Sequence, residues 1–188
     1  MKFILASKSP RRKEILNKAN LSFKIVPSMI DESKIDTSIR PVEYCMKLAE
    51  LKAKDISSQY KDYTVIGADT IVVIKKTILN KPKNFKEAFS MLQNLSGNTH
   101  EVITGVSLQN KALNIQNTFY DKTNVTFYRL TKNEIKDYIE FYKPMDKSGS
   151  YGIQDGSALF VKGIVGSYDN IVGFPISKFY QILKKINK

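Results

Sequence analysis

YTVIGADTIVVI, residues 63–74, is a nearly continuous apolar stretch interrupted by one carboxylate. Its β-branched residues predict a central strand, or a pair of strands, covered on both faces. Upstream, residues 3–6 read as a short buried strand. Ser9 can cap a helix whose first turn takes Pro10, with Ile15, Leu16 and Ala19 on its apolar side. Residues 41–56 read as a second helix, with Val42, Cys45, Leu48, Ala49 and Ile56 on or near its buried side. Downstream, Asn84 and Glu87 have capping spacing for a helix over 85–95 that Gly97 stops. Strands are expected over 102–108 and 123–128. Thr131 and Glu134 form a capping box for a helix that ends before Pro144. Residues 149–173 hold six of the nine glycines and read as turns. Pro175 opens a last helix with Phe179, Ile182, Leu183 and Ile186 facing inward. Strands alternating with helices predict an α/β fold.

The chain of 188 residues suffices for one domain or two small lobes. Its 42% hydrophobic and 26% charged content is ordinary for a soluble globular protein. No apolar run is long enough to span a membrane, and the apolar start is too short for a signal-peptide core, which argues against export. The single cysteine, Cys45, excludes an internal disulfide, fits a reducing cytoplasm and reads as a core residue. The net charge of +12 would suit nucleic acid, a membrane surface or a polyanionic small molecule. Lysines are spread along a chain also rich in Asn and Ile, so charge becomes evidence only where it meets a defined turn.

One such turn is ASKSPRR, residues 6–12, where two of the four arginines stand side by side. A guanidinium fork matches phosphate oxygens, and the N–H groups of a helix start attract anions. Arg11 and Arg12 oppose the helix dipole, so a bound anion would compensate them; a solvated helix start is the plain alternative. Asp69, inside the apolar stretch, is costly to bury unless paired, hydrogen-bonded or bound to a metal. Its plain alternative is an aspartate capping a turn between two strands. Asp31 and Glu32 offer oxygen ligands of the kind Mg²⁺ takes, or belong to a solvated loop. Lys52 in LAELKAK, Lys81 in NKP and Gln154 at the end of DKSGSYGIQ are further polar candidates; each alone is also ordinary surface. A lone His100 is poor evidence for zinc and reads as a structural hydrogen-bonding residue. Neither a Walker A loop nor G-x-G-x-x-G is present. A basic helix start and a few oxygen ligands on an α/β frame suit a phosphate-ester or nucleotide enzyme.

Five segments in order resemble the Maf family of nucleoside triphosphate pyrophosphatases: LASKSPRRKEIL, VIGADTIVV, KPKNFKEAFSMLQNLSGNTHEVITGV, PMDKSGSYGIQDGSALFV and GSYDNIVGFPIS. The resemblance covers nearly the whole chain. It implies one Maf-like domain over residues 1–188, related to the ITPases. Its extended, twisted mixed sheet is flanked by helices, and two lobes enclose a deep cleft. It implies cleavage of a nucleoside triphosphate to monophosphate and pyrophosphate, a divalent Mg²⁺ or Mn²⁺, a homodimer, and a role in nucleotide-pool cleaning or division arrest. Ser7, Ser9, Arg11 and Arg12 would hold the triphosphate, and Lys52 and Lys81 would neutralise transition-state charge. Glu32 would hold the metal or orient water, and Asp69 would be the general base or a metal ligand. Arg11, Thr70 and Gln154 match the branch that acts on dTTP and UTP. The other branch carries an aromatic in place of Arg11, differs at the other two positions, and prefers CTP or 7-methyl-GTP. Ser148 and Asn80 depart from the alanine and glycine expected there.

Two other functions stay open on sequence. One is a non-catalytic regulator that binds nucleic acid or a division protein; the charge favours it, and the absence of any aromatic-basic stripe or nucleic-acid motif argues against nucleic acid. The other is a house-cleaning pyrophosphatase for inosine or other modified purine nucleotides.

Overall fold

The apolar stretch forms one unbroken strand, not a pair. The computed structural model describes residues 1–36 and 38–186. Its strands are β1 (Phe3–Leu5), β2 (Phe23–Ile25), β3 (Thr64–Ile74), β4 (Thr77–Leu79), β5 (Thr99–Asn110), β6 (Ile115–Phe127) and β7 (Val161–Val165). The helices are α1 (Pro10–Lys18), α2 (Pro41–Ser57), α3 (Phe85–Leu95), α4 (Lys132–Tyr142), α5 (Tyr168–Val172) and α6 (Ile176–Ile186). The mixed sheet has the order β2-β1-β3-β5-β6-β7, with β4 paired to β3. β1 runs parallel to both β2 and β3, while β4 and β7 pair antiparallel with β3 and β6. This is the α/β class that the alternation predicts.

The chain packs as two compact units. The first comprises Met1–Thr70, Thr104–Asp121 and the chain from Gly173 onward; the second comprises Ile71–Ile103 and Lys122–Val172. In the first unit, α2 buries Tyr44, Cys45, Leu48, Ala49, Ala53 and Ile56. Two glycines let its backbone approach the strands closely. A Cβ at Gly67 would stand 2.6 Å from the amide nitrogen of Ala53, and one at Gly105 would stand 2.7 Å from the carbonyl oxygen of Cys45. A helix seated directly on backbone leaves no room for an added methyl between them. α1 buries Ile15 and Leu16. Ala19, expected on its apolar side, is the exposed residue that ends the helix. On α6, Phe179 and Leu183 are buried, and Ile182 and Ile186 are half-buried.

In the second unit, α3 and α4 start where their capping residues predict. Asn84 Oδ1 accepts from the Glu87 amide at 2.9 Å, and Thr131 and Glu134 form the full reciprocal box. β5 and β6 are longer than expected, and β7 occupies part of the glycine-rich stretch. His100 is buried, lies 2.8 Å from the Tyr151 hydroxyl and meets the Phe127 ring edge-on. Burial lowers its pKa to about 4, so it is a neutral structural residue. Asn80 and Ser148, the two departures from the family pattern, lie at one junction: the Gly149 amide donates to the Asn80 carbonyl at 3.3 Å. Gly149 has a φ of +69° and its Cα faces Val72, where a Cβ would come within 2.9 Å.

Candidate active site

The site in the first unit begins at the turn between β1 and α1. Ser9 caps α1, its Oγ accepting from the Arg12 amide at 3.4 Å, and Pro10 occupies the first turn. No acidic side chain lies in the first turn of the helix, where Arg11 and Arg12 stand at its positive end. Ser7 Oγ accepts from the Ser9 amide at 3.2 Å and from Arg12 Nη1 at 3.1 Å. Arg12 also donates from Nε to the Gly173 carbonyl at 3.0 Å and from Nη2 to Thr70 Oγ1 at 3.1 Å. Burial lowers the pKa of this guanidinium from its ordinary value, and the Asp69 charge opposes that shift. Thr70 Oγ1 in turn lies 2.9 Å from Thr104 Oγ1.

The acidic half is built by α2 and β3. Asp69 lies within β3 and is only 9% exposed. It is therefore not a turn aspartate. Its Oδ1 accepts from Lys52 Nζ at 2.7 Å, and the same ammonium lies 2.8 Å from Glu32 Oε1. One cation thus joins two carboxylates from distant segments. Glu32 opens a 3-10 turn, Glu32–Lys34, preceded by a segment tied to α2: Ser28 Oγ and the Met29 amide both donate to Asp55 Oδ2, at 2.7 and 3.1 Å. Asp31, its sequence neighbour, instead meets Lys34 at 3.7 Å on the surface. Cys45 is buried in the core; its thiol donates to the Asp69 carbonyl at 3.3 Å and accepts from the Gly105 amide at 3.1 Å. Burial raises the thiol's pKa well above its ordinary value, so it is no nucleophile.

Ser7, Ser9, Arg12, Glu32, Lys52, Asp69 and Thr70 are thus joined through two networks, and Arg11 shares the α1 turn. Lys81 and Gln154 belong to the second unit. Lys81 is exposed between β4 and α3. Gln154 is exposed on a turn fixed by Tyr138, whose hydroxyl donates to Asp155 Oδ1 at 3.0 Å and accepts from the Gly152 amide at 3.2 Å. Sequence reasoning missed Thr104 and Gly173, which are far from Arg12 along the chain and carry no local signal.

Among the described residues there is no group of three or more His, Cys, Asp or Glu that could cage a metal ion. Two carboxylates on one lysine are a hard-oxygen donor set, which fits a divalent cation shared with substrate phosphates and not one held by protein alone.

A family model described as Maf-like protein matches residues 2–186. A dTTP/UTP pyrophosphatase of Bacillus pumilus is 51% identical over 96% of this chain and 94% of its own length. A dTTP/UTP pyrophosphatase of Geobacillus is 49% identical over 97% of each chain. Among solved structures, a HAM1 protein from Coxiella burnetii aligns with a TM-score of 0.54 at 12% identity, over 98% of this chain and 99% of that one. At that identity the likeness concerns the fold alone.

Proposed function

The chain belongs to the Maf-like protein family, and on that premise we propose that it hydrolyses dTTP and UTP, and modified pyrimidine analogues, to the monophosphate and pyrophosphate. The observation that carries the chemistry is the adjacency of Asp69 and Thr70 on β3. Asp69 shares Lys52 with Glu32, and Thr70 accepts from Arg12, which also bonds Ser7, an arrangement that supports a carboxylate working beside a basic turn that would bind the anion.

The triphosphate lies against the α1 start, held by Ser7, Ser9, Arg11 and Arg12. Water attacks the α-phosphorus, the bond to the bridging oxygen breaks, and pyrophosphate leaves with the electron pair. Asp69 takes the proton of the attacking water or orients that water. Lys52 keeps the Asp69 and Glu32 carboxylates in place and neutralises charge that builds on the phosphoryl oxygens. Lys81 supplies a further positive charge in this reading, and Arg11 and Gln154 are its candidates for base selection. A divalent Mg²⁺ or Mn²⁺ held by Asp69 and Glu32 with phosphate oxygens would supply further charge neutralisation. The proposal includes a cytoplasmic homodimer that clears the nucleotide pool and bears on division arrest; the single buried cysteine supports the location.

Turnover across a nucleotide panel, with EDTA and then with Mg²⁺ or Mn²⁺ restored, tests the proposal. Pyrimidine-selective hydrolysis lost in EDTA is expected. No turnover of any nucleotide by the folded protein, with salt-sensitive DNA binding that survives Asp69→Asn, would replace the enzyme with a nucleic-acid-binding regulator.

A further inference from the structure

We infer that Thr70 and Thr104 are positioning residues for Arg12, and that Thr70 serves the grip on the triphosphate and not the reading of the base. The inference rests on the anion-binding role proposed for Arg12.

A hydroxyl offers one O–H and two acceptor lone pairs. Thr70 Oγ1 accepts from Arg12 Nη2 at 3.1 Å, and lies 2.9 Å from Thr104 Oγ1 and 3.4 Å from the Gly173 carbonyl. If Thr70 donates to Gly173, Thr104 must donate to Thr70, and Arg12 takes the second lone pair. If Thr70 donates to Thr104, its only proton is again used inside the network. In neither arrangement does an O–H remain to donate to a base carbonyl. Thr104 is fully buried on β5, so the far end of the relay is fixed.

The same contacts define Arg12. Its Nε, Nη1 and Nη2 are held by Gly173, Ser7 and Thr70. Three anchors fix the plane of the guanidinium. Each Nη carries a second N–H beyond the one given to its anchor, and these are the donors available to phosphate oxygens. Removing the Thr70 anchor leaves the plane held on Nε and Nη1 alone, and the fork loses its aim. Such a loss bears on the triphosphate, which every nucleotide carries.

The test uses inorganic triphosphate, which has no base, as a competitive inhibitor, together with kcat/KM for UTP and CTP. Thr70→Val is expected to weaken inorganic triphosphate and to lower kcat/KM for both nucleotides by one common factor, roughly 10- to 100-fold for a hydrogen bond to a charged group. The UTP to CTP ratio stays unchanged, and Thr70→Ser, which keeps the hydroxyl, restores both. Thr104→Val acts in the same direction and carries the comparison should Thr70→Val not fold. A changed ratio with unchanged triphosphate affinity would put Thr70 on the base and overturn the inference; no change in either would overturn it as well. Unchanged triphosphate affinity in Arg12→Ala would instead remove the anion role on which the inference rests.

Discussion

Lys52 Nζ lies 2.7 Å from Asp69 Oδ1 and 2.8 Å from Glu32 Oε1, and the Lys52 and Asp69 side chains are each 12% exposed. A half-buried ammonium between two carboxylates makes them a unit. Asp69→Asn keeps the shape and the packing but removes the charge that accepts a proton. Turnover should fall by about 10²- to 10⁴-fold, the usual contribution of a general base, with the melting temperature little changed. Pyrophosphate release measured beside thermal melting checks both. Full activity in that variant would remove Asp69 as base.

Gly105 seats the helix α2 that carries Lys52. Its Cα faces the α2 backbone at Cys45 and Met46, and a Cβ there has no flexible side chain to displace. Gly105→Ala should cost roughly 1–3 kcal/mol of stability through overpacking. It should also cut kcat by up to about 100-fold, because displacement of α2 misplaces Lys52 against Asp69. Urea denaturation and kcat, read together, test this; a stable, fully active variant would show that the seat is not tight.

Arg11 stands in the α1 turn at the positive end of the helix. Arg11→Ala should raise KM by roughly tenfold or more, the scale of a lost hydrogen bond to a charged group, and should blur the preference for dTTP and UTP over CTP. A panel of nucleotides separates the two effects. Unchanged selectivity would take Arg11 out of base choice.

His100 gives the second unit an acid sensitivity. Its folded pKa of about 4 lies below the ordinary value of 6.5. Above pH 6.5 it is neutral in both states, with no differential effect. As pH falls below 6.5 the unfolded chain takes up a proton that the folded chain refuses, so stability is lost until about pH 4, where the loss levels off. The total is about 3 kcal/mol. His100→Gln does not titrate and should show less loss of stability over that window, as measured by denaturation at a series of pH values.

Much of this fold was legible because its signals are local. Asn84 with Glu87, and Thr131 with Glu134, announce α3 and α4 within one helical turn, and Asp69 stands out as a carboxylate in an apolar run. The short strands β2, β4 and β7 were missed, since FKI and TIL are too brief to show a period and VKGIV lies in a glycine-rich stretch. The early half of β6 was missed because residues 115–122 mix polar and apolar side chains on a strand that is mostly half-buried or exposed there. At the site, Arg12 and Asp69 pointed to anion and carboxylate chemistry by their setting, while Ser7 and Lys52 took their roles from the family resemblance. Their partners did not show, because Arg12 reaches 161 residues along the chain to Gly173 and Thr70 reaches 34 to Thr104. Such pairings are set by tertiary packing, as where β3 lies beside β5 and brings Thr70 to Thr104, which no local pattern encodes.

The central claim is that water attacks the α-phosphorus of a pyrimidine nucleoside triphosphate. The most direct measurement is ³¹P NMR of the products formed from dTTP in the presence of Mg²⁺. Thymidine monophosphate and pyrophosphate in equal amounts, both formed about 10²- to 10⁴-fold more slowly with Asp69→Asn, is the predicted result. Thymidine diphosphate with orthophosphate, or no product from a protein shown to be folded, would contradict it.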